Sequence, residues 1–296
     1  MKLILGTAQL GMKYGVNNLR GQLTHKESFK LLDCAFNLGI DTIDTASAYG
    51  EAENIIGEYI RNTNNHIKVC TKLIHNIYGY DKIDKIEKEI DRSLTNLNVD
   101  YIDHYFVHDI KDIINNKDLI SILSEFKGKK INKIGISLYD KEDLEYVLEN
   151  YGDSIDTVQI PYNVLNKNSV DEEMKINLRS KNIEVFARSI YVQGLIFCSK
   201  NKLDLIHKNA YKYIEKLKRI SIKYDMTLEE LSFQYVNSND FIKSIIIGCE
   251  DEKQIIRNVS MLHNKKIFLS NEDIEDIDSE FINIEKEIVD PRLWSK

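Results

Sequence analysis

Short apolar runs and helix-periodic stretches alternate along the whole chain. The runs lie at 2–5, 40–44, 66–73, 101–108, 130–137, 156–161, 183–189 and 243–248. Several are β-branched-rich and apolar at consecutive positions, the pattern of strands covered on both faces. Between them apolar residues recur at three- and four-residue spacing. The clearest stretch carries Ile83, Ile86, Ile90, Leu94 and Leu97, with charged residues on the opposite face. Others carry Phe29, Leu32 and Phe36, then Leu144, Val147 and Leu148, then Ile255, Ile256, Val259 and Leu262.

Eight strand candidates, each followed by helical sequence, predict β-α units with parallel strands and right-handed crossovers. Eight such units in 296 residues predict a closed (β/α)8 TIM barrel, a single domain over 1–296. No G-x-G-x-x-G follows any strand, which argues against a doubly wound dinucleotide-binding sheet. Two helical segments near 211–224 and 228–236, after the seventh strand, include an addition to the minimal barrel. A helical stretch around 271–281 is another, and we expect the C-terminal helix and tail, 270–296, to pack on the barrel. With only two prolines, no proline-rich linker divides the chain.

Composition narrows the partners. Hydrophobic residues make up 43% and charged residues 29%, an ordinary globular balance. The net charge is −7, from 40 Lys+Arg against 47 Asp+Glu, so no nucleic-acid partner is expected. No apolar stretch approaches the ~18–20 residues of a membrane span. The run at 1–5 is broken by Gly6 and Thr7, too soon for a secretory signal, and a cytoplasmic location is expected. The four cysteines form no C-x-x-C pair and are expected to be reduced and buried. Barrel exteriors of monomers and dimers differ too little in sequence to give the oligomeric state.

In this fold the active site forms at the C-terminal ends of the strands. The polar residues ending the runs are Asp44, Lys72, His108, Ser137, Gln159 and Ser189, with Tyr49 five residues beyond Asp44. A carboxylate beside a buried lysine keeps the ammonium charged. A charged lysine beside a phenol favours the phenolate, so Tyr49 is expected below the ordinary ~10 and fit to act as a general acid. His108 beside the same hydroxyl would orient and polarise a carbonyl oxygen. His104 and His108 form H-x-x-x-H, but on a strand they stand ~13 Å apart. Two ligands at ~2 Å from one zinc ion cannot be that far apart, so no metal site is expected.

These motifs resemble the aldo-keto reductase family over nearly the whole chain. The resemblance rests on L-G-T-A-Q-L-G at the start, D-T-A-S-A-Y-G-x-A-E around Asp44 and Tyr49, and T-K-L at Lys72. It continues through D-R-S-L-x-x-L-x-V-D-Y-I-D-H-Y-F-V-H to His108, K-I-G-I-S at Ser137, V-Q-I-P-Y-N at Gln159 and S-I-I-I-G at Gly248. It implies a metal-free, nicotinamide-dependent reductase of a small-molecule carbonyl. Asp44 would pair with Lys72, Tyr49 would donate the proton and His108 would orient the carbonyl. Thr7 would lie beside the nicotinamide ribose, and Ser137 and Gln159 would bind the carboxamide. Ser189, Gly194 and Leu195 would cover the pyrophosphate, and Gly248, Gln254 and Asn258 would meet the adenosine, where helix-start N–H groups favour phosphate.

Three departures from the family pattern bear on specificity. Leu138 stands where many members have Asn after the carboxamide serine. Arg188 replaces the aromatic residue that stacks on the nicotinamide; its planar guanidinium can stack too. Beside a cationic oxidised ring it would favour the reduced cofactor, or it would hold an anionic substrate group. Glu250 stands where many members present a cation to the NADP 2′-phosphate. NADP(H) is the family default, and Glu250 makes NAD(H) an alternative, with Lys253 and Arg257 one turn on. Asp109 replaces a pocket-lining aromatic residue; with Lys13, Tyr14, Asn163, Arg188 and Arg292 nearby, a polar, oxygen-rich substrate is expected rather than a steroid or long-chain aldehyde, a sugar-derived carbonyl being one such. Trp294 is expected to pack the tail onto the barrel, or with Arg292 to edge the pocket. Two other readings of the scaffold stay open: a cofactor-binding regulatory or sensor protein, and a Schiff-base lyase using Lys72.

Overall fold

The computed structural model describes residues 1–63, 65–77, 81–167, 170–264 and 268–294. Its strands are β1 (Lys2–Gly6), β2 (Thr42–Asp44), β3 (Lys68–Lys72), β4 (Ile102–Val107), β5 (Ile131–Ser137), β6 (Thr157–Pro161), β7 (Glu184–Arg188) and β8 (Ser244–Gly248). They pair in parallel in chain order, and β8 closes on β1. The result is one closed barrel ringed by helices. Each apolar run contains one strand, with ends shifted by no more than two residues, so His108 and Ser189 fall just beyond β4 and β7.

Side-chain alternation inside the barrel explains where the polar chemistry goes. The register aligns the inward positions of neighbouring strands, as in Gly6↔Asp44, Lys72↔Phe106 and Ser137↔Gln159. Two steps along a strand carry the chain from floor to plug to mouth. In β4 the order is His104, Phe106, His108; in β7 it is Glu184, Phe186, Arg188. The floor is polar and internally satisfied: His104 Nδ1 and Thr157 Oγ1 are 2.9 Å apart, and Lys133 Nζ lies 2.8 Å from Glu184. Above it Ile4, Cys70, Phe106, Phe186 and Ile246 form an apolar plug separate from the larger core between barrel and helices. The plug seals the barrel, and every remaining inward polar group opens to one end.

The helices after β7 are more numerous than the periodicity predicts. Ala210–Lys223 and Leu228–Asn237 match the reading, but a 3-10 segment, Val192–Phe197, and a helix, Lys200–Ile206, precede them. The latter is seven residues long and buries only Leu203, too little to leave a periodic signature. The stretch after β4 is also divided, into Ile110–Asn115 and Leu119–Ser124. At the C-terminus, helix Asn271–Glu280 is tied to the body by Tyr235, whose hydroxyl donates to Asp278 at 2.6 Å. A turn, Pro291–Leu293, follows. All four cysteines are free; Cys70, Cys198 and Cys249 are buried, and Cys34 is partly exposed. Among the described residues, no helix is long and apolar enough to cross a membrane.

Candidate active site

Asp44 is the hub of the barrel mouth. Thr7, just past β1, donates both its backbone N–H and its hydroxyl to the Asp44 carbonyl, at 3.0 and 2.9 Å. That fixes the strand end from which the carboxylate points inward. Lys72, at the end of β3, donates to both Asp44 oxygens at 2.8 Å and to the Thr45 carbonyl at 2.7 Å. Lys72 is 2% exposed and Asp44 5%, so the pair is shielded from water. All three ammonium protons are spent on acceptors, as a buried charge requires. Gln159, from β6, donates its amide N–H to Asp44 as well. Its other end, Oε1, is buried with no partner. A buried acceptor without a partner, beside Asp44 at the inner end of the barrel mouth, suits an N–H such as a carboxamide's.

Tyr49 is carried by the turn after β2, and the packing of that turn is unusually close. A Cβ on Gly11 would stand 1.7 Å from the Tyr49 carbonyl oxygen, and Gly50 adopts φ +56° against the same segment. Only glycines let the two backbones approach so closely. The Tyr49 ring centroid lies 5.2 Å from Lys72 Nζ and 6.0 Å from the His108 ring, which meets it edge-on at 83°. The four residues read as Asp, Tyr, Lys and His from sequence therefore meet at one place. One expectation is corrected: the Tyr49 phenol is not lowered. Burial and the Asp44 carboxylate push it well above its ordinary value, although the Arg188 charge opposes them. The physical reason is that Lys72 is already neutralised by Asp44, so little of its field is left for the phenol.

His108 is neutral. Burial, then the charges of Lys72, His75 and Arg188, push its pKa down to about 2, and its Nδ1 is buried without a partner. His75 stacks on it at 4.6 Å and 23°. Asp112 holds His75 in turn, with Nδ1 and Oδ2 3.0 Å apart, and accepts the Asn76 N–H through its other oxygen at 3.1 Å. Neither His75 nor Asp112 was singled out from sequence. The signal for His75 is its place three residues after Lys72, in the loop leaving a strand end.

A cleft of about 440 Å³ opens from Tyr49 and Asp44 along the ends of β7, β8 and β1. Thr7, Arg188, Ser189, Gly194, Gly248, Glu250, Gln254 and Asn258 line it. Leu195 does not; its side chain is fully buried in the outer core. Ser137 and Gln159 sit deeper, 3% and 0% exposed, at paired positions of β5 and β6. The loop after β7 is strained: Ser189, Val192 and Gln193 have φ of +58°, +48° and +52°, and Gly194 has +89°. A β-branched residue at positive φ is a real outlier, of the kind that gathers at ligand sites. From the opposite side Val16 donates its N–H to the Gln193 carbonyl at 3.0 Å, strapping the loop after β1 across the cleft. At the far end Gln254 Oε1 accepts the Glu250 N–H at 2.9 Å, and Asn258 Oδ1 accepts the Tyr191 hydroxyl at 2.7 Å. Both build the wall. Burial, with Asp251 nearby, raises the Glu250 carboxyl above its usual range, against the pull of Arg20.

Several residues expected around the carbonyl take other places. Asp109 caps helix Ile110–Asn115, accepting the Lys111 N–H at 2.9 Å. Asn163 is 1% exposed and braces the β7 exit, donating to the Ser189 carbonyl at 3.0 Å. Tyr14 and Arg188 do line the cleft. The tail reaches the mouth through Arg292, whose guanidinium lies 3.7 Å from the Tyr139 ring centroid and 3.2 Å from Asp140. Arg188 lies 4.1 Å from the same centroid. Two planar groups that near one centroid overlap unless they take opposite faces, so Tyr139 is sandwiched. Trp294 is partly buried against the outer core.

The chain matches the Aldo/keto reductase family over residues 2–280 and belongs to that family of NAD(P)H-dependent oxidoreductases. An uncharacterized oxidoreductase, YqkF, of Bacillus subtilis is 25% identical over 93% of this chain and 94% of that protein. The NADH-specific methylglyoxal reductase of Escherichia coli is 26% identical over 77% of this chain and 80% of its own. Among solved structures, the holo form of an aldo-keto reductase from Bacillus halodurans superposes with a TM-score of 0.77 at 22% identity, over 97% and 95% of the two chains.

Proposed function

We propose that this enzyme reduces a polar, sugar-like aldehyde or ketone to the alcohol, with Tyr49 as the proton donor. The observation that carries this is the convergence of Tyr49, His108 and the Lys72–Asp44 pair at the inner end of the cleft. The open Gln159 Oε1 supports a nicotinamide carboxamide beside them, with Ser137 as its second partner. A reduced nicotinamide bound there supplies hydride to the carbonyl carbon. Tyr49, held protonated by burial, gives its proton to the carbonyl oxygen as charge grows on it. The neutral His108 ring donates one N–H to the same oxygen and so orients the carbonyl. The Arg188 charge, which pulls the Tyr49 phenol downward against burial and Asp44, helps to stabilise the phenolate that remains.

For the cofactor we infer a preference for NADH. Glu229 and Glu250 both line the far end of the cleft. The nearby guanidinium groups are engaged: Arg257 lies 3.4 Å from Glu229, and Arg20 pairs with Glu27 while donating to the Glu250 carbonyl. Carboxylates accept ribose hydroxyls and repel a 2′-phosphate. The free cysteines favour a cytoplasmic setting. The regulatory reading loses support because the tetrad is complete. The lyase reading loses it because Lys72 has no free amine lone pair to attack a carbonyl.

The test is Tyr49→Phe with NADH or NADPH and a panel of hydroxylated aldehydes. Reduction is expected to fall by about 10²-fold or more while cofactor affinity, read by fluorescence quenching, stays within about threefold. Full reduction by the variant would sink the assignment. Glu250→Arg is expected to move the preference toward NADPH.

A further inference from the structure

Among the described residues, several positive groups at the barrel mouth are matched by carboxylates, and Arg188 is not. Lys72 has Asp44; Lys286 and Arg292 share Asp140; Arg292 is also gripped by Asp290; His75 has Asp112. Arg188 has only neutral partners. Its Nη2 donates to the Leu138 carbonyl at 2.8 Å, and its face rests on Tyr139. Its Nε is buried with no partner. Among the described residues no ion pair within 4.0 Å involves it. A partly buried guanidinium with no counter-charge carries a desolvation cost that a bound anion would offset.

The direction of the side chain says what binds. Arg188 ends β7, yet its guanidinium reaches across the end of β6 to the residues just after β5. The rest of the cleft runs the other way, along β8 and the start of helix Glu252–His263. The charge therefore stands on the Tyr49 side of the cleft, away from the far end. Its field reaches Tyr14, Tyr49 and His108, opposing the rise that burial imposes on the two phenols and adding to the fall of the imidazole. Tyr139, sandwiched by Arg292, fixes the guanidinium plane at the cleft wall, and among the described residues only one of its five N–H donors, on Nη2, has an acceptor. A guanidinium so fixed fits a carboxylate or a phosphate through paired hydrogen bonds.

We propose that Arg188 sets substrate specificity by binding a carboxylate or phosphate carried by the carbonyl substrate, so that this enzyme reduces anionic aldehydes or ketones in preference to neutral ones. This rests on the reading that Tyr49 and His108 mark the carbonyl. The anion is held while the carbonyl oxygen meets Tyr49, which positions the reacting carbon as well as paying for desolvation of the guanidinium.

Matched pairs of substrates test it: succinic semialdehyde against butanal, and glyceraldehyde 3-phosphate against glyceraldehyde. The wild-type enzyme is expected to favour the charged member of at least one pair by about tenfold or more in kcat/KM. Arg188→Met is expected to remove that advantage, mostly through KM, and Arg188→Lys to keep part of it. Whatever Arg188→Met costs the neutral aldehydes, the charged member of the favoured pair is expected to lose about tenfold more. In parallel, calorimetry of succinate and of glycerol 3-phosphate binding to the enzyme saturated with NADH gives a readout that needs no turnover. Binding that disappears in Arg188→Met supports the proposal. Equal loss for charged and neutral aldehydes overturns it, as does a matching loss of NADH affinity, which would place a cofactor phosphate on Arg188. Anion binding indifferent to the substitution overturns it too. A wild-type enzyme that reduces neutral aldehydes best leaves the reductase reading intact and removes only this one. If no carbonyl is reduced but the anions bind through Arg188, the reductase reading falls instead.

Discussion

Replacing Asp44 by Asn or Leu leaves Lys72 with a charge and no counter-charge in a place only 2% exposed. Removing one partner of a buried pair costs ~3–5 kcal/mol, because the survivor's desolvation is no longer offset. Here the loss falls toward the upper part of that range. Asp44 also accepts from Gln159, so Asp44→Leu orphans the amide donor and two of the three Lys72 protons. At roughly 2–4 °C per kcal/mol for a domain of this order, the melting temperature is expected to drop by about 10 °C. The decisive assay is a double-mutant cycle by thermal or denaturant unfolding with Asp44→Leu, Lys72→Met and both together. The double variant removes both charges and fills the space with apolar groups. It is expected to recover most of the loss, with a coupling of about 2 kcal/mol or more, while remaining inactive. A double variant no more stable than the weaker single variant would refute the argument that an uncompensated ammonium is what destabilises.

The remaining predictions concern the neighbouring groups. With the His108 pKa near 2 and Tyr49 pushed above its usual value, neither group titrates through the neutral range. Reduction is therefore expected to be flat from about pH 6 to pH 9, and histidine NMR titration is expected to find two rings, His104 and His108, neutral throughout; a His108 ionisation near 6.5 would contradict the burial argument. Substituting His75→Ala removes the ring stacked on His108 and is expected to lower kcat more than it raises KM, whereas His75→Phe keeps the stack and recovers much of the rate. Gly194→Ala forces a side chain into φ +89° with its Cβ 3.2 Å from Asn17, and is expected to cost ~1–3 kcal/mol and weaken NADH binding, read by fluorescence.

Much of the mouth chemistry was legible because the barrel rule turns position along a strand into position in space. A polar residue at the end of an apolar run, as with Asp44, Lys72 or Gln159, has nowhere to face but the mouth once eight such runs close. The misses share a cause. His75 and Asp112 lie in loops, where no periodicity says which way a side chain points. Asp109 looked like a pocket residue until a helix began right after it and made it a cap. Leu195 belongs to a loop expected to cover the cleft, but its own side chain turns into the core.

Alternation and run length by themselves determined the barrel and put Asp44, Lys72 and His108 at or beside its strand ends, since these follow from local pattern and the geometry of parallel β-α units; Tyr49 was found by its distance from Asp44 in the motif around it. Only the tertiary structure decided how charge is shared among them. Which carboxylate meets which cation depends on angstrom distances between strands far apart in the chain. Those distances give Lys72 wholly to Asp44, leave Tyr49 a stubbornly protonated phenol, and leave Arg188 as a guanidinium with no anion of its own.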